Sequence, residues 1–320
     1  MAKDPSEKRI YGLIGYPVKH SLSPYMHNAA FQACNINAEY RLFEVRPEEL
    51  QDFLLNNTPA KDVDGNLIGK EEILGFNITI PHKVKAREIL EKEFPLDQNM
   101  PQMLENLYYV KLSGAINTVK RGKGKPKYFN TDATGFFKSL TKKEPLCLDF
   151  EPKEKNVLII GCGGAGRAII ASLSWKNVGA KKIYISDIND EAINSTKKYF
   201  QQLPQYSHLE KTLSFISTED IPRVIKDCHL LINASPVGMK EGDSSAVDKK
   251  LLEQNKNLYV FDAVYNRQTQ LVKDARSLSL LAVNGLGMLL YQGADAFELW
   301  TGQKAPVEVM RKALREATSK

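Results

Sequence analysis

Asn156-Val-Leu-Ile-Ile-Gly-Cys-Gly-Gly-Ala-Gly-Arg167 decides the fold of this 320-residue chain. The run from Asn156 to Ile160 is continuously apolar after its first residue. That is the pattern of a strand buried on both faces of a parallel sheet, not the alternation of a half-exposed one. Glycines follow as G-x-G-x-x-G at Gly161, Gly163 and Gly166, with Gly164 and Ala165 inside the motif. The pattern alone is weak. Running from a strand into a helix predicted over Arg167–Trp175, it has the context that a dinucleotide pyrophosphate requires. Gly161 permits the tight turn, Gly163 lets the backbone approach the phosphates, and Gly166 lets helix pack on strand. The helix start offers free N–H groups and a partial positive charge. A glycine-rich strand–helix turn with no ligand is the plainer alternative.

Working outward, Lys182–Ser186 reads as the second strand and ends at Asp187. A carboxylate there accepts hydrogen bonds from the adenosine ribose hydroxyls and repels a 2′-phosphate. It also suits capping of a helix from residue 190 onward, and both roles are compatible. Leu213–Ile216, Leu230–Ala234 and Tyr259–Ala263 supply further strands, and Gly287–Thr301 reads as a helix with a broad apolar face. The charged, proline-bearing stretch Lys142–Lys155 reads as a linker. It divides the chain into a domain over 1–140, to which 287–320 returns, and a dinucleotide-binding domain over 150–286.

The first part also alternates strands and helices: strands at Arg9–Gly15, Glu39–Val45 and Gly75–Ile80, helices from Pro24 to Cys34 and after Pro81, and a hairpin of Ala115–Lys120 with Lys127–Thr131. That makes it an α/β domain. Asn56–Glu72 reads as a turn-rich excursion and Phe94–Leu107 as an insertion with no assigned role. Three stretches place polar side chains where a strand gives way to a helix. In Ser21-Leu-Ser23-Pro24, Ser23 fits an N-cap with Pro24 at the first helical position, and two hydroxyls at a helix start also suit a carboxylate ligand. In Asn77-Ile-Thr79-Ile-Pro81-His-Lys83, the two-residue strand period points Asn77 and Thr79 the same way. Lys83 falls in a first helical turn, where the macrodipole repels a cation and would lower its pKa. A residue set against its local preference is a candidate for proton transfer, with an outward-reaching surface lysine as the alternative. In Asn130-Thr-Asp132, the carboxylate either caps the next helix or orients Lys83.

Composition narrows the class. Apolar residues make up 42% of the chain, enough for buried cores, and a net charge of +6 suits small anionic ligands. The basic run Lys120–Lys127 is interleaved with glycine and proline. It reads as a solvated hairpin tip, and no nucleic-acid partner is expected. Cys34, Cys147, Cys162 and Cys228 are scattered and the five histidines lack ligand spacing, so neither a disulfide framework nor a metal site is expected. The N-terminus lacks an apolar signal core and no run spans a bilayer, so a cytoplasmic protein with no membrane partner is expected.

Taken together, these motifs resemble the shikimate dehydrogenase family from about residue 9 to 311. The carriers are Ser21–Pro24, Asn77–Lys83, Gly114-Ala-Ile-Asn117-Thr, Asn130-Thr-Asp132, the glycine loop and Gly287-Met-Leu-Leu-Tyr-Gln292, in that order. The resemblance implies an N-terminal α/β substrate domain plus a C-terminal Rossmann dinucleotide-binding domain, with the active site in a cleft. It implies Lys83 and Asp132 as the catalytic pair. Ser21, Ser23, Asn77, Thr79, Asn117, Tyr265 and Gln292 are then substrate contacts. Gly161–Gly166, Asp187, Asn233, Ser235, Ala263 and Gly285 are cofactor contacts. It implies reduction of 3-dehydroshikimate to shikimate by NAD or NADP in a monomer or homodimer, with no metal. Quinate dehydrogenase, or a dual enzyme, is the alternative; a non-catalytic ligand sensor would be free to lose Lys83 and Asp132, and both are present. Two departures stand out. NADP-using members carry Asn-Arg-Thr where this chain has Asp187-Ile-Asn189, which favours NAD. Arg267 replaces a frequent proline, which leaves that loop freer.

Overall fold

The computed structural model describes residues 8–96, 104–122, 124–175, 178–204 and 206–318. The chain divides into two compact units, Met1–Thr131 with Leu290–Lys320, and Asp132–Leu289.

The first unit carries strands β1 (Arg9–Gly15), β2 (Ala38–Glu44), β3 (Ala60–Lys61), β4 (Leu67–Ile68), β5 (Ile73–Ile78), β6 (Thr118–Lys120) and β7 (Lys127–Phe129). Its helices are α1 (Ser23–Ala33), α2 (Leu50–Leu55), α3 (Lys83–Glu93) and α4 (Leu104–Ser113). Five strands form a mixed sheet in the order β2-β1-β5-β6-β7, parallel through β5 and antiparallel beyond it. The sheet packs against a hydrophobic cluster that includes Ile14, Phe43, Ile73, Phe76 and Val110. An aromatic group joins Tyr11, Phe31, Tyr40 and Trp300, with Tyr11 stacked 5.1 Å from Trp300. Gly75 is required here, since a Cβ on it would lie 2.5 Å from the Trp300 indole nitrogen.

The second unit runs from α5 (Thr131–Thr141) through β8 (Asn156–Ile160), α6 (Gly164–Leu173), β9 (Lys182–Ser186), α7 (Asp190–Gln201), α8 (Tyr206–Leu209), β10 (Leu213–Phe215), α9 (Ile221–Val224), β11 (Leu230–Asn233), α10 (Lys249–Leu252), β12 (Tyr259–Asp262), α11 (Gln270–Ser277) and β13 (Ala282–Val283). The sheet is entirely parallel in the order β10-β9-β8-β11-β12-β13. That is the doubly wound Rossmann order, with the topological switch point beside β8. Helix α12 (Leu286–Thr301) starts in this unit and continues into the first, and α13 (Val307–Thr318) ends the chain.

Several expectations are corrected. The contact boundary at Thr131 precedes most of α5, whereas the sequence reading kept residues up to 140 with the first domain. The Phe136 ring sits edge-on to Phe261 at 5.1 Å, which ties α5 to the Rossmann sheet. The stretch Lys142–Lys155 is not a loose linker. Leu148 and Phe150 are buried, and their N–H groups donate to Ser139 O and Leu140 O. The excursion Asn56–Glu72 contains the antiparallel β3–β4 pair. In Phe94–Leu107, residues 97–103 lie outside the described residues, and Leu104 opens α4. The basic hairpin tip is only partly solvated: Lys120 donates to Leu299 O, and Arg121 lies over Phe53 and Phe76 while donating to Phe53 O and Lys70 O. A long cationic side chain near a helix C-terminus finds carbonyls there, and its stem covers apolar surface. Among the described residues no helix is long and apolar enough to cross a membrane, and no cluster of His, Cys, Asp and Glu has metal-ligand geometry.

Candidate active site

On the first unit, Ser21, Ser23, Thr79 and Lys83 sit where strands give way to helices. Ser23 is not the cap of α1; Leu22 occupies that position, and Ser23 and Pro24 lie inside the first turn. Ser21 Oγ accepts the Ser23 N–H at 3.2 Å, so the first serine satisfies the helix start in place of the second. Thr79 follows β5, where its N–H donates to Ile14 O, and its methyl occupies the room left by Gly15, whose Cβ would lie 2.4 Å from it. Lys83 is the first residue of α3, half-buried, and that first turn holds no acidic residue. The expectation of a lysine set against the helix dipole is met.

A buried polar cluster binds the other substrate-side motifs together. Asn117, 2% exposed, donates from its amide nitrogen to Thr131 Oγ1 at 3.0 Å and to Gln292 Oε1 at 3.3 Å. Its amide oxygen accepts the Thr131 main-chain N–H at 2.7 Å. Asn77, 3% exposed, donates to Thr118 Oγ1 and to the Asn117 carbonyl, and Tyr40 donates its hydroxyl to Asn77 Oδ1 at 2.8 Å. Asn130 donates to Ser113 Oγ and Ala115 O. Buried amides and hydroxyls must be paired, and here they pair with one another across five chain segments. Sequence reasoning missed Tyr40, Thr118 and Thr131. The two threonines adjoin the quoted Asn117 and Asn130 motifs, which was the available signal; nothing local marks Tyr40.

Asp132, 5% exposed, is the second residue of α5 and therefore lies inside the helix rather than at its cap. It belongs to the second unit, as does half-buried Tyr265. The loop after Tyr265 is not free despite Arg267: Asn266 donates to Met239 O, and Thr269, 2% exposed, caps α11 by accepting the Val272 N–H.

The expected cofactor residues gather at the carboxyl ends of the parallel strands. Gly161 follows β8 with φ +99°, and a Cβ on it would stand 2.7 Å from Ser235 N. A Cβ on Gly166 would lie 2.2 Å from Gly161 O, so helix and turn touch through glycine. Gly163 caps α6 without any side-chain hydrogen bond, and a Cβ there would meet nothing within 4 Å. Gly164 and Ala165 follow it in the first turn of α6. Open space beside N–H groups with no side-chain cap at a helix start forms a cradle suited to an anion such as a pyrophosphate. Asp187 does not cap α7; Asn189 does, accepting the Ala192 N–H. Asp187 instead accepts Cys162 N at 2.9 Å through one oxygen and Asn189 N at 2.9 Å through the other. It therefore fixes the glycine loop; the oxygen facing Cys162 also accepts from its thiol at 3.4 Å, and a lone pair remains on the other oxygen for a ribose hydroxyl. Burial pushes the Cys162 thiol up to about 11, which keeps it inert.

Asn233 ends β11 and is fully buried. Its oxygen accepts Ser235 N and Oγ, and its nitrogen donates to Val237 O and to Asp262. Asp262, also fully buried, accepts from Asn233, from Val264 N at 3.0 Å and from Thr269 Oγ1 at 2.6 Å. Burial raises its pKa, and the three donors oppose that rise. The sequence reading missed Asp262, although a carboxylate closing the apolar run Tyr259-Val-Phe-Asp262 is a readable signal. Gly285 donates to Val264 O, and a Cβ on it would lie 2.1 Å from Ala263 O, which brings those two expected contacts together.

The chain is similar to known proteins along nearly its whole length. Residues 13–119 match the shikimate dehydrogenase substrate binding domain, and residues 285–315 match the shikimate 5′-dehydrogenase C-terminal domain. The chain is 36% identical over 312 residues to shikimate dehydrogenase (NADP(+)) of Methanopyrus kandleri, covering 97% of this chain and 96% of that protein. It is 37% identical to shikimate dehydrogenase (NADP(+)) of Methanobrevibacter smithii, covering 96% of each. The crystal structure of shikimate 5-dehydrogenase from Listeria monocytogenes, in complex with shikimate and NAD, superposes with a TM-score of 0.74 at 28% identity, over 98% of this chain and 99% of that one. With the Rossmann strand order, the glycine cradle and the motif residues in place, the chain belongs to the shikimate dehydrogenase family.

Proposed function

We propose that this protein catalyses the reversible reduction of 3-dehydroshikimate to shikimate with a nicotinamide dinucleotide, the reaction that the names of its relatives describe. One observation carries the reading: Asn117 joins Thr131 and Gln292 in a single buried cluster, so that three separate motifs of the family converge on one set of polar groups. Ser21 and Ser23, at the start of α1, take the substrate carboxylate. Thr79, Asn117 and Gln292 meet ring hydroxyls, and Asn77 adds an acceptor. Tyr265 and Asp132 are given substrate-side roles on the family resemblance.

Gly161–Gly166, Asn233, Ser235, Ala263 and Gly285 would hold the dinucleotide, which when bound would supply or accept the hydride. In the reducing direction, the Lys83 ammonium gives its proton to the carbonyl oxygen as the carbonyl carbon becomes C–H, and Lys83 then regains a proton from solvent. In reverse Lys83 removes the hydroxyl proton, with Asp132 as its orienting partner. Asp187 supports NAD as the preferred form, whereas the relatives' names carry NADP(+); the ribose-side carboxylate is the residue on which that choice turns. The scattered free cysteines suit a reducing compartment such as the cytoplasm, and a monomer or homodimer is proposed on the family resemblance alone.

The test is turnover of shikimate and of quinate with each dinucleotide, alongside Lys83→Ala. The expected result is shikimate oxidation, with kcat reduced about 10²–10⁴-fold in the variant and a much smaller change in KM. A variant of near-normal kcat removes Lys83 from the chemistry; turnover of quinate alone moves the protein to the alternative substrate.

A further inference from the structure

The donors and acceptors around Asn77 can be assigned from chemistry. One atom of its amide lies 3.3 Å from the Asn117 main-chain carbonyl and 2.9 Å from Thr118 Oγ1. A carbonyl oxygen only accepts, so the atom facing it is the nitrogen. The amide oxygen therefore faces Tyr40, and the Tyr40 hydroxyl is the donor of their 2.8 Å bond. Both Asn77 N–H bonds are thus used inside the protein, and one lone pair on Oδ1 remains. Toward a ligand Asn77 can only accept. It fits a hydroxyl and rejects a carboxylate or a carbonyl at that place.

Tyr40 is held for this task more firmly than an edge-strand residue needs. It lies on β2, at the margin of the sheet, where its N–H donates to Asn28 Oδ1 at 2.7 Å and its carbonyl accepts from Asn28 Nδ2 at 3.3 Å. Its ring, 2% exposed, is stacked on His27 with centroids 4.4 Å apart. Main chain and ring are therefore both fixed, and the hydroxyl has one direction to point.

We infer that Tyr40 is a positioning residue of the substrate site, whose hydroxyl holds Asn77 Oδ1 as an acceptor aimed at a substrate hydroxyl. The inference rests on the proposed shikimate chemistry, because it needs a polyhydroxylated ring as ligand. Tyr40→Phe removes one oxygen and keeps the ring. Shikimate KM should rise roughly 3- to 10-fold, the worth of a net hydrogen bond, with kcat within about 2-fold and the dinucleotide KM unchanged. In an Asn77→Ala background, which should itself show the raised KM, Tyr40→Phe should add nothing further, as residues acting through one interaction are non-additive. A merely structural role for Tyr40 lowers thermal stability without this pattern. If Tyr40→Phe does not fold, Asn77→Ala alone decides: an unchanged KM overturns the inference. An unchanged KM in Tyr40→Phe, or a full additional effect in the double variant, also overturns it while leaving the function standing. A wild-type protein with no turnover of shikimate removes both.

Discussion

His27 lies flat against Tyr40, with ring centroids 4.4 Å apart and planes within 6° of parallel. The imidazole is fully buried, and among the described residues neither of its nitrogens has a hydrogen-bond partner. The ring serves as a neutral aromatic plate against the Tyr40 ring.

Burial pushes the His27 pKa down to about 3. Above pH 6.5 the imidazole is neutral in both folded and unfolded chains and costs nothing. Below it the unfolded chain binds a proton that the folded chain refuses, so stability falls with pH until about 3. At pH 5 this amounts to about 2 kcal/mol relative to pH 7. His27→Phe keeps a flat ring and should remove that part of the acid dependence. Urea unfolding of both proteins at pH 7 and pH 5 checks it; equal pH dependence would show that His27 is protonated or solvated in the fold.

Gly166→Ala places a methyl 2.2 Å from Gly161 O and 2.9 Å from the Gly161 carbonyl carbon, both main-chain atoms. That wall cannot yield as a side chain would, so the turn must shift, at about 1–3 kcal/mol. Dinucleotide affinity should fall about tenfold or more, since the cradle is the part displaced. Calorimetric titration with NAD and NADP reads this directly. An alanine variant that binds as tightly as wild type would mean that the pyrophosphate lies elsewhere.

Asp187 accepts main-chain hydrogen bonds from Cys162 N and Asn189 N, one on each oxygen. A carboxylate about 4 Å from a 2′-phosphate repels it by roughly 4 kcal/mol at a surface-like dielectric, before screening. Water and salt reduce this, and a 10–1000-fold preference for NAD in kcat/KM is expected. Asp187→Ser should narrow the ratio. A wild-type enzyme that favours NADP, as the names of its relatives suggest, or a ratio that does not move in the variant, would leave Asp187 as a tether of the glycine loop alone.

How legible was all this beforehand? The strand–glycine–helix run at Asn156–Arg167 was read correctly because each glycine answers a local steric demand. The Gly161 turn and the contact of Gly166 with Gly161 O lie within six residues of each other. Capping was one of the readings weighed at Ser23, Asp187 and Asp132, and the helix starts place other residues there: Leu22 precedes α1, Asn189 caps α7 and Asp132 lies within α5. Only final backbone angles decide between candidates one or two positions apart. The two-residue strand β13 passed unnoticed because its pairing with β12, and not its own pattern, makes it a strand.

The sequence by itself determined the fold class, the glycine loop, the motif order and a lysine opposed to its helix dipole, because these are properties of neighbours along the chain. The tertiary structure alone decided that Asn117 meets Gln292, 175 positions away, that Tyr40 turns the Asn77 amide, and that Asp262 ties Asn233 to Thr269. The physical reason is that a buried polar group is satisfied by whichever partner the closed fold brings within 3 Å, and sequence separation has no part in that choice.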